Sequence, residues 1–408
     1  MSATKYIFCI LLILPALSPS PVLAQAAALS NPKGFSAPTG FSLGSAQVFI
    51  DSTLKTELTD NEKYEADATA KDGDRSTASL NLLAQGKSGD TSYYASLGAS
   101  YYYESDEAGD DDSNTSFPIG AGLTHLFNST DTVSLTVGQY WSNESFAPVA
   151  GASPYDLQVM TSNVGANSTV KLGNYLLKAD GAWTGAEYEY KATKDESIDV
   201  KRDEYDYNAS IGKQYTNNLV SIGIGGSTST GETAAGVDVD SQQIQVGFSA
   251  QGAFDAFGYA ANLVYGHIRY NVDSIENQQA VLGAIEASYQ VATTMLLRAE
   301  FDRTFANSIL TDEAGYITTT VAVSGQYDFS QHTFVRPKLA YEYTEVLSTE
   351  QDYTKTSFSV TLGQHVTDNV SAFLAYTYTQ QDPNRAAAGA GFTKYEENKV
   401  LLELSSTF

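Results

Sequence analysis

The chain has 408 residues, with 23 Lys and Arg against 48 Asp and Glu and a formal net charge of −25. Phosphate binding needs a basic face, so this balance excludes nucleic acid as a partner. Beyond the amino terminus no window approaches the roughly 18 consecutive apolar residues of a membrane-spanning helix, yet 27 Tyr and 32 Gly are spread along the chain. That mixture suits twisted β-strands.

Residues 1–24 read as a cleavable secretory signal. Lys5 supplies the positive region, and Ile7 to Leu17 form an apolar core too short to span a bilayer. Val22-Leu23-Ala24 places small residues at the cleavage positions, so cutting is expected after Ala24, with a start at Ala26 as the alternative. The single cysteine, Cys9, leaves with this segment. The mature chain then offers no disulfide, thiolate metal site or cysteine nucleophile. Residues 25–40 contain Pro and Gly without periodicity and read as a periplasmic lead-in, ahead of a single barrel domain over 41–408.

From Phe41 onward, apolar and polar residues alternate with the period of two that defines strands. The strands are joined by connectors that alternate between short and long. The eight short ones lie at 87–90, 128–131, 172–174, 216–218, 255–256, 292–293, 330–332 and 367–369, and carry or adjoin Gly, Asn, Asp and Ser of hairpin-turn chemistry. The nine long ones are polar and mostly acidic: 58–75, 104–114, 143–155, 190–203, 229–239, 271–277, 307–314, 347–352 and 381–394. Strict alternation implies eighteen strands, or sixteen if one hairpin is miscounted, with both termini on the short-turn side. Short periplasmic turns, long external loops and an even strand count describe an all-β, antiparallel, up-and-down transmembrane barrel of an outer membrane.

The faces agree with that architecture. Ile244, Val246, Phe248, Ala250 and Phe254 oppose Gln243, Gln245, Gly247, Ser249 and Gln251, and similar alternation runs through 93–103 and 131–142. Apolar faces tend to begin and end in aromatic residues, as between Tyr175 and Trp183 and between Phe257 and Tyr265. Such belts belong at lipid interfaces. Pro337 falls inside a strand and implies a local bulge or a strand end. The chain finishes on Val400, Leu402, Leu404, Ser406 and Phe408 on one face, with Lys399, Leu401, Glu403, Ser405 and Thr407 on the other. The terminal Phe408 resembles the terminal signature of bacterial outer-membrane barrels, a likeness that implies recognition by the barrel-assembly machinery.

A barrel of this size is wide enough for a water-filled lumen, and no separate plug domain is legible. Its polar face is mostly Gln, Asn, Ser, Thr, Gly and Tyr. The lumen-facing charges expected are Lys178, Asp180, Glu286, Arg298, Glu300, Asp302, Arg336, Lys338, Glu342, Lys399 and Glu403, with uncharged Ser324 and Gln326 and the carboxylate Asp328 between the two richest strands. Charges inside a barrel are cheap only where wetted or paired. They read either as structural ion pairs on a wet wall or as a substrate track. The acidic connectors, with Asp110, Asp111 and Asp112 among them, lack the fixed spacing of a calcium loop and read as a solvated outer surface. No metal or other cofactor is expected. Of His125, His267, His332 and His365, only His267 lies toward the external side, and none accompanies a serine-nucleophile motif. No enzymatic activity is therefore expected.

Four features make the chain similar to the β-barrel porin 2 family of Gram-negative outer-membrane proteins. The first strand runs into Thr59-Asp60-Asn61, and Tyr-rich hairpins follow. The segment Val335-Arg336-Pro337-Lys338-Leu339-Ala340-Tyr341-Glu342-Tyr343 is of a type found there, and the chain closes on Glu397-Asn398-Lys399-Val400 to Phe408. The resemblance implies association with exopolysaccharide or capsule export, and so with periplasmic export proteins; outer-membrane lipid and lipopolysaccharide are the partners the barrel itself would have. The reading from sequence is an integral outer-membrane channel giving a passive route for an exported polysaccharide. The alternatives are a small-solute diffusion porin and a surface-adhesion or envelope-structural barrel.

Overall fold

The computed structural model describes residues 40–44, 46–60, 73–106, 111–146, 155–193, 196–231, 238, 240–271, 277–306, 316–346, 351–385 and 394–408. They form β1 (Phe41–Leu43), β2 (Ala46–Thr59), β3 (Gly73–Ser88), β4 (Thr91–Asp106), β5 (Asp111–Leu126), β6 (Thr132–Phe146), β7 (Tyr155–Leu172), β8 (Tyr175–Thr193), β9 (Glu196–Gln214) and β10 (Asn218–Gly231). There follow β11 (Ser241–Phe254), β12 (Phe257–Tyr270), β13 (Gln278–Ala292), β14 (Met295–Ala306), β15 (Tyr316–Asp328), β16 (Thr333–Val346), β17 (Gln351–Thr367), β18 (Val370–Arg385) and β19 (Tyr395–Thr407). Each pairs antiparallel with the next from β2 to β19, and β19 pairs back onto β2. The result is a closed eighteen-stranded barrel with one short extra strand.

Closure is a backbone event. β19 and β2 register from Lys399↔Thr59 to Thr407↔Asp51. Phe408 then exchanges both of its backbone bonds with Ile50, donating at 2.9 Å and accepting at 2.8 Å. Where β19 runs out, β1 takes over the same edge of β2, pairing Phe41↔Val48 through Leu43↔Ala46. Between them, β19, Phe408 and β1 cover the β2 edge from residue 46 to residue 59. The hairpin joining β1 to β2 turns through Gly44 at φ 64°.

The eight tight turns lie on the side where the chain ends, as the connector pattern predicts. Gly89 and Gly173 adopt positive φ there, and Asp255 does so at φ 49° without being glycine, which Asp tolerates better than most side chains. The β5–β6 turn is built by Asn128, whose Oδ1 accepts the Thr130 and Asp131 N–H groups at 2.9 and 2.8 Å. Asp131 Oδ1 in turn accepts the Lys171 N–H at 2.8 Å, tying this turn to β7.

On the opposite side the connectors are shorter than the reading, and one differs most. The charged stretch 190–203 was expected to be a loop. Instead β8 and β9 run to Thr193 and from Glu196, in register through Lys191↔Ser197 and Glu187↔Lys201. Alternation persists beneath the charge. Toward solvent, Glu187 and Lys201 form an ion pair at 2.8 Å, and Trp183 Nε1 donates to Asp203 Oδ1 at 2.9 Å. Asp110 and the acidic positions 62, 65 and 67 lie outside the described residues.

Pro337 acts as its missing N–H dictates. The β15–β16 ladder passes from Ser324↔Lys338 to Tyr327↔Val335, skipping two positions without slipping register. There is no bulge, contrary to the simplest expectation, and the strand does not end. Pro118 on β5 does the same to the β4–β5 ladder, which passes from Leu97↔Ile119 to Ser100↔Ser116.

The apolar face of every β-hairpin is turned outward. Val246, Leu402 and Val323 are each more than half exposed, and Phe127, Phe254, Phe329 and Phe408 form an aromatic ring on the turn side. On β12 the outward face runs from Phe257 to Tyr265. At ~3.4 Å per residue that is roughly 27 Å of strand, or roughly 20 Å of height at a ~40° tilt, close to the apolar band of a membrane barrel.

Two outcomes test this seam and this turn. Deleting Phe408 removes both bonds to Ile50, each worth about 1 kcal/mol net, and should lower the melting temperature of the folded, heat-modifiable species on gels; an unchanged transition would show that closure does not depend on them. The bonds from Lys171 and Asn128 hold the Asp131 carboxyl below the usual range. A depressed folded pKa contributes stability above the unfolded value and loses it as pH falls through the folded one. The stability gap between the native chain and Asp131→Asn should therefore be full above about pH 4 and vanish in stronger acid.

Candidate functional site

The wall has one wet face to offer chemistry, the inner one, and the alternation assigns each side chain to it. All eleven charged residues singled out in the sequence lie on the face opposite the exposed apolar residues of their own strands, but they fall into three separate groups.

The largest spans β13 to β16. Glu286 and Glu300 are register partners, so two carboxylates stand directly opposite each other. Arg298 lies between them, with Nη2 2.8 Å from Glu286 Oε2 and Nε 2.7 Å from Glu300 Oε1. Lys338 reaches Glu300 across the intervening strand β15 at 3.4 Å, a span that side chains cover on the concave side of a curved sheet. Beside it Arg336 donates to Gln326 Oε1 from Nε at 3.2 Å and Nη2 at 2.7 Å, at the two positions where the Pro337 gap leaves the ladder open. The Arg336 guanidinium also stacks 5.0 Å over Phe334. Asp302 and Glu342 continue the face toward the long-connector side, Glu342 being the register partner of Lys355.

The second group sits on the closing seam. Lys399 pairs with Glu397 at 3.3 Å, Lys55 with Glu57 at 2.7 Å, and Thr59 donates to Glu397 at 3.0 Å across the seam. Glu403 faces Lys55 in register. Nearby Arg75 covers the Tyr102 ring at 5.2 Å. The third group, on β8 and β9, joins Lys178 and Asp180 to three residues that sequence reading missed: Arg202, Glu204 and Asp206. They were hidden because the stretch up to 203 read as a loop, which broke the alternation that would have put them on the inner face. Asn208 donates to Asp180 at 3.3 Å, and Arg202 donates to Ser229 at 2.8 Å.

Between these groups the wall is paved with hydroxyl pairs on neighbouring strands: Ser100 with Ser116 at 2.6 Å, Thr124 with Ser134 at 2.8 Å, Ser221 with Ser249 at 2.5 Å, and Thr318 with Thr344 at 3.1 Å. Exposure changes along the axis. Toward the long-connector side the inner-face residues Asn114, Ser142, Ile268, Thr344, Gln381 and Tyr395 are buried. Toward the turns, Gln47, Gln85, Ser92 and Tyr94 are exposed. Burial is not confined to that side, since Ser288, Gln326 and Phe334 are buried on the inner face near the turns.

The histidines take structural positions. His125 Nδ1 meets Thr91 Oγ1 and His365 Nδ1 meets Ser371 Oγ, each at 2.8 Å. Both are register partners on adjacent strands, so ladder geometry alone brings them together. Arg269 donates to His267 at 3.0 Å on the outer face. Among the described residues no group of three His, Cys, Asp or Glu side chains is arranged to hold a metal ion.

No protein-family model and no curated protein matches this sequence. Solved structures do match it in fold. The FrpB iron transporter from Neisseria meningitidis aligns at a TM-score of 0.53 and 8% identity, over 88% of this chain and 81% of that one. The siderophore receptor PirA from Acinetobacter baumannii aligns at 0.52 and 6%, over 88% and 80%. The outer membrane transporter YddB from Escherichia coli aligns at 0.51 and 10%, over 84% and 61%. The fold is that of outer-membrane β-barrel transporters, and identities this low show the fold alone.

The Arg298 bridge can be tested directly. Arg298→Ala leaves Glu286 and Glu300 opposed without their shared cation and should destabilise the barrel by about 1 kcal/mol. Adding Glu300→Gln should recover most of that loss in urea unfolding. A double variant no more stable than Arg298→Ala would remove the like-charge repulsion from the account.

Proposed function

We propose that this chain is an integral outer-membrane β-barrel of a Gram-negative envelope, turns in the periplasm and long connectors outside, that gives a passive aqueous route to an exported polysaccharide. The membrane placement is supported by the outward apolar band and by the closure of β2 to β19 into a ring, since an unpaired strand cannot sit in lipid. The observation that carries the cargo reading is the chemistry of the inner wall. It is built of hydroxyls, amides and Tyr, and several of its charges are held in ion pairs: Arg298 with Glu286 and Glu300, Lys399 with Glu397, Lys55 with Glu57. A polymer rich in hydroxyls and flat apolar ring faces needs that surface, and a wall that selects a charged solute would keep its charges unspent. The resemblance of the Val335–Tyr343 segment and the closing strand to the β-barrel porin 2 family points the same way. Barrel-assembly machinery reading Phe408, and periplasmic proteins delivering the polymer, are the partners this role requires.

A small-solute porin is the competing reading, and two experiments part them. Deleting the gene should abolish surface polysaccharide and leave small-solute uptake unchanged; normal polysaccharide in the deletion strain would sink the export reading. In planar bilayers the purified barrel should conduct, and reversing charge with Arg298→Glu should raise its preference for cations. Unchanged selectivity would remove the β13–β16 group from the conduction path.

A further inference from the structure

At the turn side of the inner wall, beside the β1 hairpin, lies a cavity of about 630 Å³ whose lining includes Gln47, Gln85, Lys87, Ser92, Tyr94 and Thr124. These residues fall in two successive inward-facing rungs of the sheet. Gln47, Gln85, Tyr94 and Gly122 are successive register partners across β2 to β5, and Lys87, Ser92 and Thr124 form the next rung but one toward the turns.

The Tyr94 ring is held in an unusual way. It lies on the backbone of Gly122, where an added Cβ would come within 2.4 Å of the ring's Cε1 and 2.9 Å of its Cζ. Only glycine leaves room for a ring lying against the wall there. Tyr94 is opposite in parity to outward Leu97 and Tyr101, so a lipid interface does not explain it. It is 39% exposed, which also separates it from a core residue. A ring laid against the wall with its other side in water, flanked by two exposed amides and two hydroxyls, is a platform with donors and acceptors at its rim.

We propose that this cavity is a binding station for one ring of an uncharged hexopyranose chain. The apolar face of the sugar stacks on Tyr94 while its hydroxyls exchange hydrogen bonds with Gln47, Gln85, Ser92 and Thr124. The proposal rests on the aqueous-channel reading and deepens it: the station stands at the turn-side mouth, where a polymer arriving from that side first meets the wall. Gly122 is the positioning residue that lets the platform form.

The test uses the full barrel in a planar bilayer with cellohexaose added on the turn side. The native channel should show transient current blocks. Tyr94→Ala should shorten their mean duration about three- to tenfold, the equivalent of one aromatic stacking contact. Tyr94→Phe, which keeps the platform, should stay within about twofold of native on the same scale. Heat-modifiable mobility shows that each variant has folded. Tyr94→Ala blocks as long as native, or a conducting native channel that cellohexaose does not block, would overturn the station. The cargo reading is judged separately: normal surface polysaccharide in the deletion strain with sugar blocks intact would sink export and leave the station standing.

Discussion

Everything in this molecule depends on the hydrogen bonding of β19 to β2. All seventeen other strand pairings could form and still leave a sheet with two raw edges, and a raw edge is intolerable in a hydrocarbon surround. Closure removes both at once. It also creates the distinction between inside and outside, because a sheet has two equivalent faces until it curls. The short strand β1 belongs to the same solution: it takes the few residues of the β2 edge that lie beyond Phe408.

Once the ring is closed, a period of two does the rest. Each strand contributes alternate residues to lipid and to the interior, so the composition of the inner wall is fixed by the same alternation that makes the outside apolar. Charges placed on that wall meet in groups because neighbouring strands bring same-height residues together. Arg298, Glu286, Glu300 and Lys338 come from three strands, and the last two are 38 positions apart in the chain. Pairing lowers the cost of charge on a partly wet wall, and between the charged groups the surface is hydroxyl and amide. Function, on this reading, follows from the uncharged surface between them.

The architecture was legible in the sequence because its two signals are local. Alternation within a strand and turn chemistry between strands need no knowledge of what lies across the barrel, and together they give strand number, termini and faces. What was not legible is informative. The 190–203 stretch carries so many charges that its alternation reads as a solvated loop, yet those charges stand beyond the apolar band, where strands run on in water at little cost. With the loop went Arg202, and with the broken alternation its neighbours Glu204 and Asp206. Pairings between strands were also beyond reach: nothing in the sequence says that Arg336 fills the ladder gap at Pro337 by donating to Gln326, or that His125 and His365 are each opposite a hydroxyl residue. The flat seat of Tyr94 needs Gly122, 28 positions away, and only the register discloses it.

The central claim is that successive residues of one strand face water inside and lipid outside. Thiol labelling of the reconstituted barrel, with Cys9 replaced, tests it at neighbouring positions of β15 and β17. Cysteines introduced at Ser324 and Ser359 should react with a charged, membrane-impermeant maleimide, and cysteines at Val323 and Phe358 should stay protected until detergent strips the lipid. Equal labelling at both members of each pair, or protection of the two serine positions alone, would contradict the account.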